Sequence, residues 1–268
     1  MGMWKQTNYT TPLCFINNSI YEYDIRKANI SILLKNNVIS AETYNAFLNM
    51  DKMERQIKIG LMQKNNPELK NVLELGFEEA RRLLIESNSI QKEEIVSIKK
   101  DAIFVTRQLV YTSFPPIEFV LKNRYDLFVK TEYPKLEFYY GMIDNEEENL
   151  DVKGIKDEAL PIHYGTWMTF LCEFFGYLSH GQLQEAMTLL STTSKNYINR
   201  SLPIEYYREF NSISHFRIMP GFVSEFTIDR ADESCRGMLN IEYNYNLLMS
   251  LNRIVSELFL LTRKRGGH

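Results

Sequence analysis

Glu94-Ile95-Val96-Ser97-Ile98-Lys99-Lys100-Asp101-Ala102-Ile103-Phe104-Val105-Thr106 reads as two β segments that meet at a charged turn. β-Branched and aromatic residues fill both flanks, where a pleated, buried surface suits them, and Lys99-Lys100-Asp101 supplies the polar head at which the chain reverses. Upstream, Ser19-Ile20-Tyr21-Glu22-Tyr23-Asp24-Ile25 alternates as a half-buried strand does, which predicts a strand ending near Asp24. A further β patch, Lys135-Leu136-Glu137-Phe138-Tyr139-Tyr140-Gly141, follows the loop at Pro115-Pro116.

Between the first strand and the hairpin the period changes to that of a helix. Ser40 offers an N-cap to a segment carrying Tyr44, Phe47, Leu48, Ile57, Leu61 and Met62, which ends before Asn66-Pro67. Asn66 caps a second helix with Pro67 at its first position, and Leu69, Val72, Leu73, Ala80, Leu83 and Leu84 form its apolar face. The two make a helical arm over residues 40–88. The acidic run 144–151 reads as a solvated loop. Beyond His163 the pattern is helical over 164–178, over 182–196 and along a long segment with Leu239, Tyr243, Leu247, Leu251, Ile254 and Leu258 on one face. The expected class is therefore α+β, with a small antiparallel sheet and helical arm in residues 1–160 and a mainly helical half in residues 161–265.

Composition narrows the function without naming it. The 268 residues carry 31 Lys+Arg against 34 Asp+Glu, with 44% hydrophobic residues, 12 Gly and 8 Pro, enough apolar material for one large or two modest cores and too little glycine and proline for a fibrous or disordered chain. A net charge of −3 excludes a generic polycation, so any grip on nucleic acid must come from a local basic groove. Residues 1–15 contain no apolar core of signal-peptide length, and the most apolar later run is broken by Glu173, so a soluble, cytoplasmic protein is expected. Cys14, Cys172 and Cys235 have no paired spacing and read as reduced thiols; His163, His180 and His215 have no ligand spacing and read as caps or core residues. No glycine-rich phosphate loop or dinucleotide fingerprint is present.

The residues that could carry chemistry are Asp24, at a strand end, and Asp101, at the hairpin head. Strand ends distant in sequence meet in a sheet, and two aspartates on adjacent strands can hold hard cations of the kind that activate a hydroxyl and stabilise a leaving pyrophosphate. At these residues the sequence resembles the palm domain of template-directed nucleic-acid polymerases, family B in particular. Tyr21-Glu22-Tyr23-Asp24-Ile25-Arg26-Lys27-Ala28-Asn29-Ile30 is similar to the first palm motif, in which an Asp ends a strand before a helix. Lys100-Asp101-Ala102-Ile103-Phe104-Val105 is similar to the second, and Asp151-Val152-Lys153-Gly154-Ile155 to a Lys-Gly-Ile element beyond it. The three occur in the family's order within residues 19–157.

The resemblance implies a palm-like sheet, a reduced fingers element in the arm and a thumb-like helical half. It also implies a nucleotidyltransferase in which Asp24 and Asp101 hold Mg²⁺ or Mn²⁺. The family's fingers motif with a Lys and a Tyr-Gly is not evident; in its place the arm helix offers Lys52, Arg55 and Lys58, of which Arg55 and Lys58, at i and i+3, would share a face that holds a triphosphate. Lys153 would touch the primer, with a primer–template, nucleoside triphosphates and further protein partners as ligands and no membrane. The sequence departs from the family where Lys99 replaces the first of two hairpin aspartates and where a Tyr-Pro should follow the first motif. Asp24 also reads as a strand-end or capping residue and Asp101 as an ordinary turn residue, since Asp favours both. On that reading the chain is a non-catalytic structural or regulatory interaction protein of a virus or mobile element. A metal-dependent nuclease would use the same two aspartates.

Overall fold

The computed structural model describes residues 14–143, 147–211 and 241–265. Cys235, His215, Leu239 and the acidic positions 144–146 singled out above lie outside them. The chain is α+β and its described residues form two compact units, divided between Arg124 and Tyr125, with residues 14–18 joining the second. The sequence pattern had placed a boundary near Leu160 instead, because the alternation in residues 117–130 is interrupted by Lys122-Asn123-Arg124 and does not announce a strand.

In the first unit an antiparallel sheet is ordered β2-β3-β1-β5, built from β1 (Cys14–Ile25), β2 (Ile95–Ile98), β3 (Ala102–Val105) and the start of β5 (Ile117–Lys130); the short β4 (Ser113–Phe114) pairs with β5. β2 and β3 are the expected hairpin, and all eight of their residues are buried. β1 runs antiparallel to β3, with Tyr23 opposite Ile103 and Asp24 opposite Ala102. Because side chains alternate across a strand, Tyr23 and Ile25 pack on the helices while Glu22 and Asp24 share the other face.

Four helices follow β1 and β1's own apolar face decides where they pack. α1 (Ala28–Lys35) buries Ala28, Ile30, Ile32 and Leu33. The segment from Ser40 is two helices rather than one, α2 (Ala41–Leu48) and α3 (Lys52–Asn65), because Asp51 starts a new one. Its carboxylate accepts from Glu54 N at 2.8 Å, just as Ser40 Oγ accepts from Thr43 N at 3.1 Å. α4 (Glu68–Ser87) carries Leu69, Leu73, Phe77, Ala80 and Leu84 into the core, and Asn66 Oδ1 accepts from Glu68 N as its sequence position suggested.

In the second unit the end of β5 pairs with β6 (Glu137–Ile143), and β6 with β7 (Glu147–Lys153), from Glu137 opposite Lys153 to Ile143 opposite Glu147. The expected acidic loop is therefore a strand from Glu147 onward. Its carboxylates have partners that a loop reading overlooks: Tyr140 Oη donates to Glu148 at 3.1 Å and Tyr125 Oη to Asp151 at 3.2 Å.

The helical half begins with α5 (Leu160–His163), a π-helical turn (Tyr164–Met168) and α6 (Thr169–Ser179), followed by α7 (Leu183–Ile198) and α8 (Ile241–Arg265). Trp167, Phe174, Phe175, Leu190 and Leu251 form its core. Buried Asn244 ties α8 to the segment before it, donating to Tyr206 O and Arg208 O and accepting from Phe210 N. Among the described residues no helix is long and apolar enough to cross a membrane.

Gly76 is where α4 closes on α1. A Cβ built there would lie 2.2 Å from Ile32 Cγ2, whereas one at Gly60 on α3 meets nothing within 4 Å. Gly76→Ala should cost about 1–3 kcal/mol in overpacking, and Gly60→Ala should gain roughly 0.5–1 kcal/mol in helix propensity. Urea unfolding of the two variants checks the opposite signs.

Candidate functional site

Asp24 and Asp101 are brought to one place by backbone hydrogen bonds. Lys99 N donates to Ala102 O at 2.9 Å to close the hairpin turn, and Ile25 N donates to Asp101 O at 2.9 Å, joining the end of β1 to that turn. Arg81 of α4 supports the turn from below. It is only 2% exposed, and its Nη1 donates to the carbonyls of Lys99 and Lys100. Burial lowers the Arg81 pKa to about 10, against the opposing pull of Glu78 and Asp101. Lys100 turns its ammonium over the Phe77 ring, 5.1 Å from the centroid, and so leaves Asp24 to other partners.

The two aspartates line a cleft of about 240 Å³ whose other polar walls are Lys27 and Asn29 at the start of α1 and Lys52, Arg55 and Gln56 on α3. Lys27 adopts a left-handed backbone conformation, φ 50°, as the chain leaves β1 and enters the helix. Arg55 is half-buried and anchored by Nη1, which donates to Phe47 O and Met50 O at 3.3 Å each. The cleft thus sets two carboxylates against three cationic side chains, an arrangement suited to a ligand that carries phosphates and a metal together.

Asp24 is the strained member. Its Oδ1 is shut off from solvent and has no hydrogen-bond partner among the described residues, while Oδ2 lies 3.9 Å from Lys122 Nζ. Its pKa is pushed up to about 6, first by burial, then by the neighbouring charges of Asp101 and Glu22, with Lys122 and the backbone N–H of Ile25 pulling the other way. A buried carboxylate oxygen with no donor suits a hard cation. Among the described residues no three His, Cys, Asp or Glu side chains are grouped to hold a metal. A cation here would be bound by Asp24 and Asp101 and would complete its shell with water or substrate oxygens, a mode Mg²⁺ accepts.

Of the residues expected from sequence, Asp24, Asp101 and Arg55 meet in this cleft. Lys58 does not line it; its ammonium pairs with Glu54 at 3.1 Å on the exposed side of α3. Lys153 belongs to the second unit, on β7, paired with Asp151. His163 packs against Phe210 with ring centroids 5.4 Å apart, and His180 Nδ1 meets Gly176 O at 2.8 Å at the end of α6. Burial raises the Cys172 thiol to about 11, so it stays protonated. Arg81 and Lys122 were not singled out from the sequence. Arg81 had a signal, since it falls on the helical face that also holds Phe77, Ala80 and Leu84, where a charge needs a partner. Lys122 had none that its neighbours in sequence reveal.

The fold and cleft define an α+β protein with an acidic pair on its sheet faced by cations from a helical arm. The family model described as Bacteriophage PBS1 gene 130 protein matches residues 1–257, and the chain belongs to that family. No curated protein matches the chain.

The raised pKa of Asp24 has a definite sign for stability. The folded state binds the proton more tightly than the unfolded state, so this carboxyl destabilises the fold above about pH 6, and the penalty fades as pH falls toward the ordinary carboxyl value near 4. Asp24→Asn should therefore be more stable than wild type at pH 7–8, with the difference shrinking between pH 6 and 4. Urea unfolding of both proteins across that range measures it.

Proposed function

We propose that this chain is a metal-dependent nucleotidyltransferase of the template-directed polymerase type, acting on nucleoside triphosphates and a nucleic-acid primer–template. The observation that carries the reading is the meeting of Asp24 and Asp101 in a cleft whose opposite wall presents Lys52 and Arg55. A bound Mg²⁺ or Mn²⁺ would acidify a primer hydroxyl and offset the charge of the departing pyrophosphate. The chain's own residues divide the remaining work. Asp24 Oδ1 and Asp101 offer carboxylate oxygens to the cation, Lys52 and Arg55 bind phosphate oxygens, and Lys27 adds positive charge where α1 begins. Arg81 holds the backbone of the turn that carries Asp101. The strand order β2-β3-β1-β5, with one aspartate ending β1 and the other in the turn before β3, supports the palm-like reading of the motifs. Membership of a family named for a phage protein suits an enzyme acting on phage nucleic acid in the host cytoplasm.

A second reading, a non-catalytic interaction protein of the phage, draws support from Lys122. Its ammonium lies 3.4 Å from Glu22 and 3.9 Å from Asp24, and Lys99 stands where a further carboxylate would strengthen a metal site. Extension of a labelled primer on DNA and RNA templates with Mg²⁺ or Mn²⁺ separates the two. Asp101→Asn should retain the wild-type melting behaviour and lose at least about 100-fold in rate, roughly 3 kcal/mol of transition-state stabilisation. Primer shortening without added nucleotides would identify a nuclease instead, and extension unchanged in Asp101→Asn would overturn the assignment.

A further inference from the structure

We propose that Lys122 acts as a built-in cation in place of a second metal ion, so that the cleft takes one divalent ion rather than a pair. The inference rests on the metal-site reading above and adds to it the number of ions and the residue that sets it. Glu22 and Asp24, two residues apart on β1, point to the same side of the sheet, and Lys122 comes from β5, the neighbouring strand. Glu22 is 2% exposed and fully engaged: Asn123 Nδ2 donates to Oε2 at 2.7 Å and Lys122 Nζ to Oε1 at 3.4 Å. The same ammonium lies 3.9 Å from Asp24 Oδ2.

The two oxygens of Asp24 are thereby divided. Oδ2 faces the half-exposed ammonium of Lys122, and Oδ1 has no hydrogen-bond partner among the described residues, which leaves it for a cation shared with Asp101. Two divalent ions held about 4 Å apart need bridging carboxylates around both. Here Lys99 stands two positions before Asp101 where another carboxylate would be required, and Glu22 already has Lys122 and Asn123. Among the described residues no third His, Cys, Asp or Glu joins Asp24 and Asp101, so the carboxylates present suit one ion rather than a bridged pair. An ion that must be recruited is replaced by the ammonium that β5 carries beside Glu22 and Asp24.

Mn²⁺ titration of the full chain, with free ion followed by electron paramagnetic resonance, counts the sites without relying on turnover. Wild type should bind one ion per chain, Asp101→Asn none, and Lys122→Met two, the second held by Glu22 and Asp24. Should Lys122→Met unfold with Glu22 left uncompensated, Glu22→Gln combined with Lys122→Met removes both charges. That double variant should bind its single ion about tenfold more tightly once the competing ammonium is gone. Two ions in wild type, both lost in Asp101→Asn, would leave the metal site standing and overturn the role of Lys122. So would one ion bound alike in wild type and Lys122→Met, or unchanged affinity in the double variant. Absence of any ion that depends on Asp101 would instead remove the metal site itself and the proposal with it.

Discussion

The hydrogen bond from Ile25 N to Asp101 O, 2.9 Å long, and the register that sets Asp24 opposite Ala102 decide whether this protein has a site at all. Side chains alternate across a strand, so slipping β1 by one residue against β3 would take Asp24 out of line with Glu22 and Lys122 and bring Tyr23 or Ile25 to its place. The register is held by burial: Tyr23 and Ile25 belong to the apolar core under the helices, and Tyr23 Oη accepts from Leu109 N at 2.8 Å. Hydrophobic pairing on one face of β1 thus fixes the acidic chemistry on the other.

Around that register the electrostatics are arranged at some cost. Burial, and then the charges of Asp101 and Glu22, raise the Asp24 pKa to about 6, and Oδ1 has no hydrogen-bond partner among the described residues. Arg81 is buried beneath the hairpin turn, spending its guanidinium on the carbonyls of Lys99 and Lys100. A half-desolvated carboxylate with one oxygen unpartnered costs the domain stability at neutral pH. Such an arrangement persists where a ligand supplies the missing charge, which favours a working cleft over an ordinary strand end.

Much of this was legible in the residues themselves. The alternation of residues 19–25 and the apolar flanks of Lys99-Lys100-Asp101 identified β1 and the hairpin, and Ser40 and Asn66 marked helix starts through their capping chemistry. Asp51 split the arm helix in two because its carboxylate caps a new start, a local option that helical spacing alone does not reveal. β5 and β7 were obscured because their polar residues find partners on other strands: Asn123 and Lys122 on Glu22, Glu148 on Tyr140, Asp151 on Tyr125. Helical spacing put Arg55 and Lys58 on one face, yet only Arg55 lines the cleft, while Lys58 pairs with Glu54. Lys122 enters through a strand pairing that only the fold creates.

The central claim is that Asp24 and Asp101 together hold a divalent cation which brings a nucleoside triphosphate against the arm. A crystal structure of the full chain soaked with Mn²⁺ and a nucleoside triphosphate tests it most directly. The account predicts anomalous Mn²⁺ density between the two carboxylates, with the phosphates against Lys52 and Arg55. An anomalous map empty at that position, with the nucleotide bound elsewhere or not at all, would contradict it.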